Sequence, residues 1–323
     1  MFAEALEDIL RDRCTPAVVR AIEAGDDPML LWSAIAEAGF LELLAPESAG
    51  GAGLPLDEFF EVALLLGRYA VPLPLAQSMA ARALLPEGAC PAAMLTFAPG
   101  LRREADGWCC PQVPFGAIAT AVLADDGDAL LLFDCQDAQR LPTGVAHSQA
   151  AGLRFTAEPQ RFARDGQALR AWGAALHAAL IAGAMARAFE MTLQYGNERS
   201  QFGKSIGKFQ AIQHQLSVMA EQVAASRLAA RAAFGAGTAP GLLQAALAKA
   251  RTSEAVVPVA ATAHAVHGAI GVTAEYDLQL YTRRLQEWRL AHGSEAHWHP
   301  VIGQALLDSG APVADFIRDL AAA

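Results

Sequence analysis

The run Ala171–Ala186 is apolar almost throughout, rich in alanine, and interrupted only by His177. It is shorter than the ~20 apolar residues that crossing a bilayer requires, so it reads as a buried helix. A helix apolar on all sides must be surrounded, and its alanines suit close packing against other helices. The chain around it can supply them. From about Phe162 onward the pattern stays helical with few breakers, and Phe209, Ile212, Gln213, Leu216, Met219 and Val223 fall on one face of a second helix. The stretch Gly235-Ala236-Gly237-Thr238-Ala239-Pro240-Gly241 ends that helix and opens the next. A four-helix bundle over 162–323 is the expectation.

The rest of the chain divides by texture. Leu30, Leu31, Ile35, Phe40 and Leu43 recur at helical spacing, as do Phe59, Phe60, Ala63, Leu64 and Gly67. A glycine-rich loop, Pro46–Gly53, separates the two groups. This predicts an N-terminal helical domain over 1–87. Over 88–161 the runs Ala93–Phe97, Ala117–Ala124, Ala129–Phe133 and Leu153–Thr156 are bounded by turn residues, which predicts a small β domain. The fold class is mostly α.

Composition excludes several functions. The net charge is -10 with no basic stripe or Lys/Arg block, which argues against a nucleic-acid binder and against an anionic membrane surface as partner. With 54% hydrophobic and 18% charged residues the chain is globular, not disordered. Its five cysteines show no C-x-x-C spacing, which suits a reduced cytoplasmic protein better than a disulfide scaffold or a zinc site. Met1–Ala5 lacks the basic start of a signal peptide, and no membrane span is expected. His297-Trp298-His299 places its imidazoles on different helix faces, so they read as capping or interface residues and not as metal ligands. His214, His264 and His267 are read the same way.

The segment Tyr195–Leu216 carries the chemistry that stands out. A helix ends near Arg199, Gly203 and Gly207 open a turn, and another helix begins near Phe209. Arg199 offers a guanidinium fork suited to phosphate oxygens, and Phe202 a flat apolar face. On spacing alone, a helical hairpin with a surface arginine explains these residues as well.

That segment resembles the acyl-CoA dehydrogenase family. Leu31-Trp32, Ala36-Glu37-Ala38-Gly39, Pro46-Glu47, Gly50–Leu54 and Leu66-Gly67-Arg68 are similar to the family's N-terminal helical domain. Val266–Thr273 with Glu275-Tyr276 is similar to its second cofactor segment, and Arg283-Arg284 to the helix that leads to the active-site loop. The β zone matches poorly. The short length and abbreviated middle domain most resemble small bacterial subunits linked to sterol or bile-acid side-chain breakdown. The resemblance implies FAD as cofactor, an acyl-CoA substrate that loses an α proton and a β hydride, a homo- or hetero-oligomer with a homologue, and an electron-transfer acceptor protein. It assigns cofactor contacts to Arg199, Gln201, Phe202, Ile206, Phe209 and Gln210, to His267, Gly268 and Ala269, and to Ser294.

The sequence departs from the family where chemistry needs a base. The family places a glutamate either in the loop after the arginine-bearing helix or on the helix before Arg199. Matched without gaps, these positions hold His292 and Gly173. Three readings compete: His292 is the base, since neutral imidazole accepts a proton near pH 7; Glu295 swings in; or the chain is a non-catalytic subunit whose partner carries the glutamate. For His292 a loop histidine without a role, and for Glu295 a first-turn helix residue, are the plainer alternatives. Further departures agree with the third reading. Ala265 and Ala269 replace the family's Gln and Gly, Leu95–Gly100 keeps a trace of its Leu-Thr-Glu-Pro-Gly, and Trp108-Cys109-Cys110 is a doubtful counterpart of its flavin wall. α,β-Dehydrogenation within an oligomer, completion of a partner's FAD site, and a flavin oxidase or nitroalkane-type reaction all remain open on the sequence.

Overall fold

A computed structural model describes residues 1–163, 167–235 and 237–322. Ala236, in the expected interhelical turn, lies outside the described residues, as do 164–166 and 323 at the borders of the expected bundle domain.

Five helices come first: α1 (Phe2–Arg13), α2 (Pro16–Glu23), α3 (Met29–Glu37), α4 (Leu56–Arg68) and α5 (Leu75–Leu84). Pro16 at the first turn of α2 is preset for a helix and needs no N–H partner there, while Thr15 caps it by accepting from Val18 N. Eight strands follow: β1 (Leu95–Phe97), β2 (Arg102–Glu104), β3 (Gly107–Val113), β4 (Ala121–Asp125), β5 (Ala129–Asp134), β6 (Gln139–Pro142), β7 (Ala151–Phe155) and β8 (Gln160–Ala163). Then come α6 (Ala168–Glu198), a two-residue hairpin of β9 (Ser200–Gln201) and β10 (Lys204–Ser205), α7 (Gln210–Ala232), α8 (Leu242–His267), α9 (Leu278–Leu290), α10 (Glu295–Ser309) and α11 (Val313–Ala322).

The strands form two four-stranded sheets, β1-β4-β5-β8 and β2-β3-β7-β6, antiparallel except for β1 beside β4. Alternation of side chains explains why the first sheet is apolar on both faces. Val122, Ala124, Leu131 and Phe133 meet Cys110, Leu153 and Phe155 of the second sheet, with Phe133 stacked on Phe155 at 4.4 Å. Leu123, Leu130 and Leu132 point the other way, into the helical core. That core is continuous from α1 to α10. Phe59 and Phe60 of α4 pack on Phe234, and Phe59 on Trp172 of α6.

The apolar run lies at the centre, with α6 touching α4, α7, α8 and α9. Glycine fixes its distance from α4. A Cβ on Gly183 would lie 1.9 Å from the Leu64 carbonyl oxygen, and one on Gly67 2.1 Å from that of Leu180, so the two backbones touch. The α2–α9 junction is electrostatic: Glu23, buried, accepts from Arg283 at 2.7 Å and pairs with Arg284 at 3.0 Å, and Arg20 pairs with Asp277. By length and composition, α6 and Leu242–Val272 would suffice to cross a membrane; α6 is buried inside the bundle.

Strand bounds differ from the expectation in three places. Ala117–Thr120 is a turn tied to the Phe115 and Met94 carbonyls, so β4 starts later. β8 extends to Ala163 because Phe162 and Ala163 pair with Leu130 and Ala129, where a helix was expected from Phe162. β2, β3, β6 and β8 were not anticipated as strands at all.

Candidate active site

The loop after α9, Ala291–Ser294, meets the first turns of α6. Gly173 and His292, the two positions at which a base was sought, face each other there. A Cβ on Gly173 would fall 2.1 Å from His292 Nδ1, so the imidazole occupies the space into which any side chain at 173 would project. One turn along α6, His177 lies beside His292 with ring centroids 4.8 Å apart, and its Nδ1 donates to the Gly173 carbonyl at 2.8 Å. His292 is buried in a left-handed backbone conformation, φ 54°. Its carbonyl accepts from Trp298 Nε1 at 3.0 Å. From α8, Lys249 Nζ donates to Ser253 Oγ at 2.8 Å, to the Arg289 carbonyl at 2.9 Å and to the Gly293 carbonyl at 2.8 Å.

These surroundings decide the protonation states. Burial, with the Lys249 charge nearby, pushes the His292 imidazole down to about 3 against a backbone hydrogen bond at Phe97. His177 is held well below its ordinary value by burial, then by His292 and Lys249. Burial lowers the Lys249 ammonium to about 7. These surroundings weigh against His292 as base, since a ring whose conjugate acid ionises near 3 gains little by taking a proton at neutral pH. Glu295 is engaged elsewhere. It begins α10, and both its oxygens are held by Arg289, one through Nε at 3.0 Å, which also lowers its carboxyl. It points away from a swing into the site.

A cavity of about 500 Å³ opens beside the loop, lined by Pro99, Asp125, Asp126, Arg170, His292, Gly293, His297 and Trp298. Arg170 stacks over Trp298 at 4.7 Å and donates to His297 Nε2 at 3.0 Å. Among the described residues no His/Cys/Asp/Glu cluster suits a metal. Ser294 is the half-buried N-cap of α10, its carbonyl accepting from His297 and Trp298 N–H.

The remaining predicted residues gather at the opposite end of α6. Arg199 caps that helix with its side chain exposed, and Phe202 sits at the tip of the β9–β10 hairpin, 90% exposed and left-handed at φ 51°. Of five non-glycine residues with positive φ among the described residues, two are predicted site residues, Phe202 and His292. Such strain persists only where neighbours impose it, and it collects at functional sites. Phe209 packs edge-on to Phe202 at 6.3 Å, with Lys204 Nζ 4.2 Å above its ring, while Gln201 and Gln210 are exposed. Ile206 departs from the expectation. Its side chain is buried and its N–H donates to the Arg199 carbonyl at 2.8 Å, so it supports the turn from inside.

The second segment reaches the same end. His267 is buried against Tyr195 at 4.5 Å and near Tyr276 at 5.1 Å, with Nδ1 donating to the Ala263 carbonyl, so its ring joins α8 to α6 and does not face solvent. Gly268 and Ala269 follow it onto the surface. From Gly173 to Arg199 the helix climbs about 39 Å at ~1.5 Å per residue. The predicted contacts thus form two groups too far apart for one extended dinucleotide.

Lys249 and Arg170 were not singled out from sequence. The signal for Lys249 was present: it is a lone charge in the alanine-rich stretch Ala245–Ala250, where a solvated face would carry more polar residues.

The family model described as the acyl-CoA dehydrogenase N-terminal domain matches residues 1–88, and that for the C-terminal domain matches residues 167–307. The acyl-CoA dehydrogenase IpdE2 of Mycolicibacterium smegmatis is 33% identical over 306 residues, covering 91% of this chain and 92% of its own. The ChsE4-ChsE5 complex from Mycobacterium tuberculosis matches with a TM-score of 0.82 at 25% identity, over 96% of this chain and 97% of the other. The Tcur3481-Tcur3483 steroid ACAD matches with a TM-score of 0.80 at 26% identity, over 96% and 98%.

Proposed function

Because the chain belongs to the acyl-CoA dehydrogenase family, we propose that it is one subunit of an FAD-dependent acyl-CoA dehydrogenase and completes a homologue's flavin site without abstracting the substrate proton itself. The observation that carries this is the Gly173–His292 contact: the ring of one fills the space of the other, and neither is a carboxylate. The runner-up, dehydrogenation by this chain's own residues, would need a base, and His292 and Glu295 are both disabled for that work by burial and by Arg289 respectively.

The Arg199 end fits the ADP half of FAD. An exposed guanidinium without a carboxylate partner among the described residues suits the pyrophosphate, and an exposed Phe202 suits the adenine face. When bound, the flavin supplies the hydride acceptor. Arg199 would neutralise the diphosphate, Phe202 would cover the base, and the partner's residues would surround the ring and the acyl thioester. The two-component names of ChsE4-ChsE5 and Tcur3481-Tcur3483 support a heteromer, and the steroid label of the latter supports a steroid side-chain acyl-CoA as substrate class. An electron-transfer protein would reoxidise the flavin. Five free cysteines suit a reduced, cytoplasmic setting.

The test is to purify the chain alone and co-expressed with a longer homologue that retains the glutamate. Flavin absorbance and acyl-CoA-dependent dye reduction should appear only in the complex. Full flavin occupancy with turnover by the chain alone would sink the proposal.

A further inference from the structure

We propose that Lys249 is the positioning residue that fixes the α9–α10 loop, by donating at once to the carbonyls on either side of the left-handed His292. The loop needs such a device. A non-glycine residue at φ 54° is strained and holds only where its surroundings impose it. Lys249 grips the Arg289 carbonyl at 2.9 Å before the strained residue and the Gly293 carbonyl at 2.8 Å after it, and Ser253 Oγ at 2.8 Å takes its third hydrogen. Trp298 Nε1 holds the carbonyl between them. A fully buried ammonium with three acceptors and no contacting carboxylate among the described residues is unusual, since burial of an unpaired charge costs stability.

The count of hydrogens makes the grip sensitive to pH. An ammonium donates three hydrogen bonds and a neutral amine two. Burial lowers Lys249 to about 7, so one of the three contacts is released as pH rises through that value. The charged and titratable groups facing it are His177 from α6, Arg289 from α9, His292 from the loop, and Glu295 and His297 from α10. All three histidines are lowered and so neutral above pH 7, and Glu295 and Arg289 stay ionised, so Lys249 is the group that changes there.

Hydrogen–deuterium exchange of peptides covering residues 288–298, in the full chain at pH 6 and pH 9 and corrected for intrinsic rates, tests this. Loop exchange should be about tenfold faster at pH 9, with α6 protection unchanged. Lys249→Met should exchange fast at both pH values. Wild-type loop exchange indifferent to pH would overturn the assignment. So would equal loosening of α6 and the loop in Lys249→Met, which would mark Lys249 as a general stabiliser. If that variant does not fold, the wild-type pH profile decides alone.

Discussion

At the residue scale, Gly173 and His292 are a single steric unit. Alanine is ordinarily favoured over glycine in a helix by up to ~1 kcal/mol. Here its Cβ would lie 2.1 Å from a ring that is buried and walled by His177 and Lys249. The clash should win: Gly173→Ala is expected to lose about 1–3 kcal/mol in urea unfolding. In His292→Ala the same substitution should cost nothing or stabilise, because the space has been vacated. Equal losses in both backgrounds would mean the ring is free to move. The protonation of His292 gives a second prediction. Its folded value is about 3 against an ordinary 6.5, so the unfolded chain takes up a proton below 6.5 that the folded chain refuses. Stability from this group is present above pH 6.5 and is lost as pH falls toward 3. The stability difference between wild type and His292→Gln, followed by denaturant titration, should therefore fall by about 1.4 kcal/mol per pH unit in that window. Sequence reading found both residues as places lacking a carboxylate. It did not find that they touch, because their contact joins segments far apart in the chain and leaves no local pattern.

Elements show where legibility comes from. β1, β4, β5 and β7 were readable because their apolar runs are bounded by turn residues and buried. β2, β6 and β8 lie at sheet edges and read Arg-Arg-Glu, Gln-Arg-Leu-Pro and Gln-Arg-Phe-Ala; with one face in solvent and no partner beyond, they carry no apolar alternation to detect. β3 holds Gly107 and Pro111, both of which argue against a strand. The helices were readable by period, but not their spacing. Alanine enrichment says that α6 is approached closely without saying by which neighbour; Gly183 and Gly67 answer that it is α4. Gly183→Ala should force α4 and α6 apart, because its Cβ would meet backbone at 1.9 Å and backbone has no rotamer to escape into. At least about 2 kcal/mol should be lost, seen as a lowered thermal midpoint. An unchanged midpoint would mean that the helices slide without cost.

The whole molecule presents two unequal ends of one long helix. At one, Lys249, Trp298 and Arg289 hold the loop around the His177–His292 pair. At the other, Arg199 and Phe202 stand out in solvent, one without an ion-pair partner among the described residues and the other 90% exposed on a strained backbone. With about 39 Å between them by helical rise, a subunit can use both ends only by facing two different sites. A two-fold or pseudo-two-fold pairing of homologues would meet that condition if it laid the Arg199 end of one against the loop end of the other. The consequence is asymmetric. Removing the Arg199 guanidinium should leave this chain's own stability untouched, because its exposed side chain makes no hydrogen bond or ion pair among the described residues. In the co-expressed complex, Arg199→Ala should lower affinity for FAD, since a hydrogen bond to a charged group contributes roughly 1.5–3 kcal/mol, about tenfold to a hundredfold. Flavin absorbance per complex after dilution and gel filtration reads the loss, with the thermal midpoint of the isolated subunit as control. Unchanged flavin retention would mean that the exposed arginine grips no cofactor. A fallen midpoint would mean that it is part of the fold after all.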